Sequence, residues 1–597
     1  MTSTVLTPPA ASPTAGRYRW LAAIACICSA LLYLNALDNP YVYDDVRTVL
    51  DNPSIGDVGN VQAIVYREMT RPVVNFSYAL DMALWGTPGV DRQEDLRLLA
   101  GFHLTNILLH AINVLLLFQL ARLVVQDLAA RGRNQVTARK ATVIAFTTAA
   151  GFGMHPMMTE SVGYISGRAE VLCGTFFLLA LMAARRWMRG AGRAWLAVAF
   201  SVWVAALLSK EIAATWPLVL LGYDRLVLES DPARSRRRWR RVLGPLLGLT
   251  VALGLVRVAV LVFVENPGDA VVMWSHLLVE IEVAFRYFLL LVWPVGQTIF
   301  HQISPPGWPP APLLLLAIVW LTAWVAVAIR IREREGGIAL GMLWFLLLLA
   351  PSSALVLLNL GEPMAEHRVY LASAGFFLTA GFLVARLWAL FDTRTPERRL
   401  GLRVALAGLL TVLGGLTVER NTVWSDPLAL WTEATRRAPD VWVPHVMVGE
   451  LLQNRGAHED ALASYRRAIA LRPDEPIPYA RLGLCLAELG RLGEAREAFE
   501  NALRLDPDSP IGHNGLGAVA MLAGEHDTAR RHYEEALLRV PDDVAARQSL
   551  ALLYETVWHN PGEAVRLCEE VRRIAPATPG IDACIERNRA RLPADSR

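Results

Sequence analysis

Residues 101–125 read GFHLTNILLHAINVLLLFQLARLVV, an apolar run long enough to cross a lipid bilayer as a single α-helix. A helix needs about 20 such residues to span the hydrocarbon core of a bilayer. Similar apolar runs occur on both sides of it, at 18–36, 141–156, 168–188, 193–209, 212–229, 242–264, 279–296, 311–330, 338–360, 369–390 and 402–418. This pattern predicts an all-α, polytopic transmembrane helix bundle over residues 1–420.

Composition supports the same fold class. The chain has 597 residues, of which 54% are hydrophobic, and this fraction is too high for a soluble protein of that size. The net charge of +3 carries no nucleic-acid signature, so we expect no nucleic-acid partner. No apolar run follows residue 420, and residues 421–597 therefore predict a soluble domain.

Arginine-rich segments between the apolar runs predict the topology. They lie before the first run and near 131–140, 185–193, 234–241 and 394–403. The positive-inside rule places such segments, and with them the N-terminus, in the cytoplasm. The opposite side then holds Asp44 and Asp45, the loops 156–168 and 361–368, and the C-terminal domain.

Two runs leave alternatives open. A full crossing by 279–296 would exchange the sides of the later arginine-rich segments, so we expect it to be re-entrant or to lie along the outer surface, which leaves about 11 crossings. The run 18–36 also has features of a secretory signal, with weak small-residue cleavage sites near its end.

The C-terminal domain contains an internal repeat. Prolines 439, 473, 507 and 541 recur every 34 residues, and small and aromatic positions recur with them: Gly449, Ala461, Tyr465 and Ala468; Gly483, Ala495, Phe499 and Ala502; Gly517, Ala529, Tyr533 and Ala536. This is the tetratricopeptide (TPR) pattern of stacked helical hairpins. It predicts repeats near 442–475, 476–509, 510–543 and 544–580.

Stacked repeats of this kind form an α-solenoid whose concave face commonly binds an extended peptide. A protein or peptide partner in that groove is therefore expected, with a rigid spacer as the alternative. The side of the membrane assigned to the repeats is oxidising, and a bridge between Cys568 and Cys584 is conceivable there.

Polar residues cluster in the loops assigned to the outer side, where they adjoin apolar spans. Charged groups at such places are costly and mark candidate functional sites. The segments include Asp44-Asp45, Arg71-Pro72, His103 to Asn106 and His110, His155-Pro156 with Thr159-Glu160, Gly167-Arg168-Ala169-Glu170, Ser209-Lys210-Glu211, Pro351-Ser352-Ser353, and Glu366-His367-Arg368 with Tyr370.

Lysine is rare enough to be informative. Of 58 basic residues only Lys140 and Lys210 are lysine. A lysine at the end of a span can be required as a compact positive charge, for example on a phosphate. The alternative is a side chain that reaches from the span to the membrane interface.

Taken together, these motifs and the repeats that follow resemble the TMTC-type (transmembrane and TPR repeat-containing) O-mannosyltransferases of the GT-C superfamily of membrane glycosyltransferases. The resemblance covers nearly the whole chain. It implies a GT-C-like membrane domain that transfers a sugar, mannose or a similar hexose, from a polyprenyl-phosphate donor to Ser or Thr hydroxyls of a protein. The Ala/Arg-rich, Lys-poor composition differs from the eukaryotic members and suggests a bacterial inner-membrane protein.

The expected chemistry assigns roles to the two carboxylates. A hydroxyl is a poor nucleophile and needs a base within hydrogen-bond reach of its proton. Asp44 or Asp45 can serve, and by analogy with the protein O-mannosyltransferases we expect Asp44 to be the base and Asp45 to position the acceptor. A single displacement would invert the anomeric carbon, since no second pair of carboxylates suits a covalent intermediate.

The leaving group is an anionic lipid phosphate, so positive charge is needed where negative charge develops. The candidates are Arg168, Lys210, His367 and Arg368, with Arg71 and His155 in addition. Glu160 and Glu366 complete the predicted substrate-binding set. No cofactor is expected, because arginines already cover the phosphate charge that Mg²⁺ would otherwise neutralise at the two aspartates.

Each assignment has a structural alternative. Asp44-Asp45 could be a solvated turn, His103 and His110 could bond across helices, His155-Pro156 could only end a span, and Glu366 could pair with Arg368. At the level of function, the alternatives are a non-catalytic, membrane-anchored TPR scaffold for complex assembly, and a ligase or flippase for lipid-linked glycans.

Overall fold

A computed structural model describes residues 13–132, 137–228, 231–265, 272–303, 311–352, 356, 358, 362–391, 396–575 and 578–592. The chain divides into two compact units, Met1–Leu430 and Trp431–Arg597. The sequence placed the boundary at 420/421, and the helix Pro427–Arg437 contains the observed boundary. Ser353, in one of the polar segments singled out from the sequence, lies outside the described residues.

The first unit is built from helices, and its described residues contain no strand. The α-helices are Pro13–Leu31, Val61–Arg67, Pro72–Trp85, Leu96–Ala130, Ala138–Met154, Thr159–Val162, Arg168–Met188, Ala194–Leu207, Trp216–Tyr223, Pro232–Arg238, Gly244–Val260, His276–Val292, Pro312–Ile331, Gly336–Leu349, Tyr370–Phe391 and Pro396–Trp424. The predicted all-α bundle is confirmed.

Seven helical stretches among the described residues are long and apolar enough to cross a membrane: Arg19–Ala36, Leu96–Ala130, Ile165–Met188, Pro232–Val264, Pro312–Ile331, Glu366–Leu390 and Glu397–Trp424. The chain is therefore a membrane protein. Other predicted runs form shorter helices, and the run 212–229 is divided because Pro217 begins a new helix, Trp216–Tyr223, after a 3₁₀ turn. The total of about 11 crossings stays a prediction.

Polar side chains connect the helices inside this unit. His110 forms hydrogen bonds through Nδ1 to the Tyr370 hydroxyl, at 2.8 Å, and through Nε2 to the Gly153 carbonyl, at 3.1 Å. Asn113 donates to the same tyrosine. His103 is bonded to the Asn39 carbonyl. These buried contacts match the structural alternative given above for the two histidines.

The second unit consists of paired antiparallel helices. They are Trp442–Asn454 with His458–Leu471, Pro476–Glu488 with Leu492–Leu505, Pro510–Leu522 with His526–Arg539, Val544–Thr556 with Pro561–Ile574, and a final helix Ile581–Arg589. Cys568 and Cys584 form a disulfide between the last two helices.

Glycine and an aromatic ring explain how three of the four pairs pack. A Cβ atom added at Gly449 would lie 2.5 Å from Tyr465, and one at Gly483 would lie 2.8 Å from Phe499. The rings fill the space that glycine leaves, so the two helices of a pair approach closely. The predicted TPR repeats are confirmed by these helical pairs.

Candidate functional site

A cavity of about 640 Å³ lies in the membrane unit, beside the segment that begins with Asp44. Its lining comes from segments far apart in sequence: Asp44, Arg47, Thr48, Asn52, Tyr66, Arg67, Glu68, Met69, Thr70, Arg71, Val74, Asn75, Tyr78, Tyr164, Ser166, Gly167, Ala169, Lys210, Arg257 and His367. A smaller cavity of about 100 Å³ shares Arg71, Lys210 and His367 with it and is also lined by Arg368. The structure thus brings Asp44 together with three of the predicted cation-site residues, Arg71, Lys210 and His367, and places Arg368 in the adjoining smaller cavity.

Asp44 and Asp45 point in different directions. Asp44 is exposed and lines the larger cavity, and no described residue donates a hydrogen bond to its carboxylate. Its backbone N–H donates to the Tyr164 hydroxyl at 2.9 Å. The preceding residue, Tyr43, has a left-handed backbone with φ 50°. This uncommon conformation turns the chain immediately before the two acids.

Asp45 is fully buried and is bound by its neighbours. Its Oδ1 accepts hydrogen bonds from the Ser166 amide and hydroxyl, and its Oδ2 accepts one from the Val42 amide. Burial raises the pKa of Asp45 to about 7, against the opposing effect of these hydrogen bonds, and the Asp44 charge contributes less. The prediction that Asp45 positions the acceptor is therefore corrected: Asp45 fixes the loop to the turn at Ser166.

Lys210 lines both cavities and is paired at the same time. Its Nζ lies 2.5 Å from Glu170 Oε1, and both side chains are at least nine-tenths buried. Arg71 forms a more exposed pair with Glu211, at 3.3 Å. Because Lys210 has three donor hydrogens, the pair with Glu170 leaves donors to face the cavity.

His367 lies in the loop predicted over 361–368, and its side chain lines both cavities. Its Nδ1 lies 2.6 Å from Glu160 Oε1, and the Ser161 hydroxyl donates to its backbone carbonyl. Burial, together with the charge of nearby Glu366, raises the pKa of Glu160 above its ordinary value. Glu160 therefore orients His367 and does not line either cavity.

Three other predicted ligand residues are occupied elsewhere. Arg168 is fully buried: its Nη1 lies 2.5 Å from Asp81 Oδ2, its Nε donates to Asn106 Oδ1, and its Nη2 donates to the Phe102 carbonyl. A guanidinium with these partners cannot face a phosphate in the cavity. The assignment of Arg168 to the donor site is therefore corrected to a structural role.

Glu366 and His155 are corrected in the same way. Glu366 accepts hydrogen bonds from the Thr298 amide, Gln297 and His301, so it fastens the 297–301 segment instead of pairing with Arg368. His155 is buried, and its Nδ1 accepts from the Met157 amide as the cap of a 3₁₀ turn. Neither side chain lines the cavities.

Sequence reasoning missed cationic residues of the larger cavity. Its charged lining consists of two carboxylates and five cations: Asp44 and Glu68; Arg47, Arg67, Arg71, Lys210 and Arg257. The sequence does mark Arg257 as a candidate functional residue, because it is a single charge inside the apolar run 242–264. Arg47 and Arg67 lie in the polar segment between the apolar runs 18–36 and 101–125, where a charge carries no such information.

The resulting site is an open, electropositive cavity with an accessible carboxylate at its edge. Positive charge of this density favours an anionic ligand such as a phosphate. Among the described residues, no cluster of three or more His, Cys, Asp or Glu side chains is arranged to hold a metal ion.

The sequence of this chain matches a repeat family and several curated proteins. A tetratricopeptide repeat family model matches residues 446–510. The chain is 24% identical over 454 residues to the protein O-mannosyl-transferase F38B6.6 of Caenorhabditis elegans, and 26% identical over 547 residues to the protein O-mannosyl-transferase Tmtc1 of Drosophila melanogaster. Each alignment covers 72% of this chain and 59% of the relative.

The resemblance to the TMTC-type proteins is thus confirmed by curated relatives that carry this name, and the chain spans 59% of their length. A shorter match, 27% identical over 186 residues, links it to human TMTC1, with 29% of this chain and 18% of the relative covered. Among solved structures, the chain is similar to the Thermus thermophilus TPR protein TTC0263, with a TM-score of 0.26, 21% identity, and coverage of 32% of this chain and 96% of that one.

Proposed function

We propose that this chain is an integral-membrane glycosyltransferase that moves a hexose, mannose or a close analogue, from a polyprenyl-phosphate donor to a Ser or Thr hydroxyl of a protein. The observation that carries the proposal is the position of Asp44, whose carboxylate opens into the cavity that the five cations line. The names of the relatives support transferase chemistry.

The proposed reaction is a single displacement. The acceptor hydroxyl transfers its proton to the Asp44 carboxylate while its oxygen forms a bond to the anomeric carbon. The bond between that carbon and the phosphate oxygen breaks, and its electron pair leaves with the polyprenyl phosphate. The anomeric configuration is inverted, because attack occurs opposite the departing oxygen.

The cations are expected to stabilise the departing phosphate. Lys210, Arg71 and His367 border both cavities, so a phosphate between them would meet preorganised donors. Arg257 adds positive charge to the larger cavity, and Arg368 adds positive charge to the smaller one. In the proposal no metal is required, and we expect activity to persist in EDTA.

The repeat unit is proposed to recruit the protein acceptor. Ile477 and Ile511 occupy the same position, the second residue, in the first helices of consecutive repeats, and both are more than 40% exposed. Apolar side chains repeated at this spacing suit an extended peptide with apolar residues.

The positive-inside pattern supports a cytoplasmic N-terminus and repeats on the far side of a bacterial inner membrane.

The decisive experiment is sugar transfer by the purified full chain in lipid bilayers, with labelled polyprenyl-phosphate mannose and an acceptor protein. Asp44→Asn should reduce transfer by about 10²- to 10⁴-fold without loss of folding, because the base is removed. Asp51→Asn is the matched control, since Asp51 is an exposed acid of the same loop that does not line the cavity. Full activity in Asp44→Asn would refute the base assignment.

A second experiment tests the alternative function, a non-catalytic, membrane-anchored TPR scaffold. A chain lacking residues 440–597 should lose transfer to a folded protein acceptor much more than transfer to a short peptide. Equal loss on both acceptors would mean that the repeats support folding only. Transfer absent from every lipid-linked sugar, with capture of proteins by the repeats intact, would favour the scaffold.

A further inference from the structure

A second large cavity lies elsewhere in the membrane unit and takes no part in the proposed reaction. It is a groove of about 600 Å³ between four helices, Pro13–Leu31, Ala138–Met154, Tyr370–Phe391 and Pro396–Trp424. Most of its lining is aliphatic or aromatic, and the charged residues among the described part of the lining are Arg139 and Arg403.

The two arginines lie at the same end of the groove. Arg139 is in the first turn of Ala138–Met154, and Phe146, seven residues later, also lines the groove. Arg403 and Leu410 are related in the same way on Pro396–Trp424. Seven residues of helix correspond to about 10 Å, so each wall has a cation at one end and about two turns of apolar surface beyond it.

A cation–π contact lies at this end of the groove. The Arg139 guanidinium lies 5.7 Å from the ring centroid of Trp388, a cation–π distance. Tryptophan and arginine together are typical of the level at which lipid headgroups lie. Arg403 is exposed, and none of the described residues forms an ion pair with it.

The groove is separate from the Asp44 cavity. Tyr164, Ser166 and Gly167, which line that cavity, come after the C-terminal end of Ala138–Met154, whereas Arg139 is at its N-terminal end. A helix of 17 residues is about 25 Å long, so the two sites lie at opposite ends of it. Arg139 and Arg403 also belong to the arginine-rich segments that the sequence assigns to the cytoplasmic side.

We propose that this groove is a binding site for an anionic phospholipid, with its phosphate held between Arg139 and Arg403 and one acyl chain along the apolar walls. Charge complementarity identifies the occupant: two cations at an apolar groove suit a negatively charged headgroup with a hydrocarbon chain. The lipid would be a structural or regulatory ligand, distinct from the sugar donor.

Native mass spectrometry of the delipidated full chain in detergent can test this, with phosphatidylglycerol and phosphatidylcholine as probes. A saturable phosphatidylglycerol site is expected, with a clear preference over phosphatidylcholine. Arg403→Gln should weaken phosphatidylglycerol binding by about fivefold, the contribution of one interfacial arginine. Arg398→Gln, an exposed arginine of the same helix that does not line the groove, should leave the affinity unchanged.

A second pair of variants tests the apolar wall. Ala407→Trp should fill the groove and abolish the preference while both arginines remain, whereas Ala405→Trp, on the same helix but outside the groove, should not. Equal binding of the two lipids, equal effects of Arg403→Gln and Arg398→Gln, or unaltered binding in Ala407→Trp would overturn the proposal. Competition by glycerol phosphate as strong as that by the lipid would show that a free phosphate, not a phospholipid, is the ligand.

Discussion

Ser166 donates two hydrogen bonds to Asp45 Oδ1, from its amide at 2.8 Å and from its hydroxyl at 2.6 Å. This contact joins two segments that are 121 residues apart in sequence. It also separates the functions of neighbouring acids, because Asp45 is held in the protein and Asp44 is left facing the cavity.

Asp45 should make stability depend on pH. Its pKa in the folded chain is about 7, compared with 3.8 for an ordinary aspartate. The folded state therefore keeps the proton more tightly, and stability should fall as pH rises from about 4 to about 7. Asp45→Asn should flatten the Tm profile over this range, whereas Asp51→Asn should retain the wild-type slope. An unchanged slope in Asp45→Asn would contradict the burial argument.

Lys210 and Glu170 should behave as a coupled pair. Lys210→Gln leaves the Glu170 carboxylate buried without its partner, and loss of one member of such a pair costs about 3–5 kcal/mol. The double variant Lys210→Gln/Glu170→Gln should recover most of the Tm in detergent but remain impaired in sugar transfer by about 10²-fold. Recovery of transfer in the double variant would show that Lys210 acts only through Glu170.

Substitution of Arg168 should lower stability, whereas substitution of Arg368 should lower sugar transfer. Arg168→Gln leaves Asp81 buried without its partner, so folded yield and Tm should drop by an amount equivalent to about 3 kcal/mol or more. Arg368→Gln should fold normally and lower transfer, because this half-buried side chain lines the smaller cavity and donates only to the Glu362 carbonyl among the described residues. Size-exclusion profiles and Tm values distinguish these results. A normally folded Arg168→Gln would contradict the structural role.

Gly515 should be intolerant of a side chain. A Cβ atom there would lie 2.2 Å from Phe499 Cε1, inside the packed repeats. Gly515→Ala should therefore destabilise the repeat unit by about 1–3 kcal/mol. Gly493→Ala is the control, since a Cβ at that position meets nothing within 4 Å. Limited proteolysis of the full chain, with cleavage sites mapped within 431–597, measures both effects, and equal sensitivity of the two variants would contradict the packing argument.

Periodic features of this chain could be predicted from sequence because each repeat carries its own register. The expected repeats beginning at 476 and 510 coincide with helices that begin at Pro476 and Pro510. Proline fixes the first turn of these two pairs, and glycine opposite an aromatic ring fixes the approach of their helices. Apolar runs likewise located the long membrane helices, since hydrophobic length is a local property.

Side-chain direction could not be predicted, because it depends on partners distant in sequence. Arg168 and Lys210 have the same charge and lie in equally polar motifs. Asp81 binds Arg168 inside the protein, whereas Lys210 lines the cavity. Arg257 could have been recognised, because a lone charge in an apolar run is uncommon and costly.

The scarcity of lysine makes the cavity accessible to selective chemistry. Substitution of Lys140 by arginine would leave Lys210 as the single ε-amine in the sequence. An amine-specific reagent would then label one side chain, at the wall of the cavity. Because the contact with Glu170 shields the amine from the reagent, the labelling rate would measure how often the Lys210–Glu170 contact opens, and a bound donor would slow it.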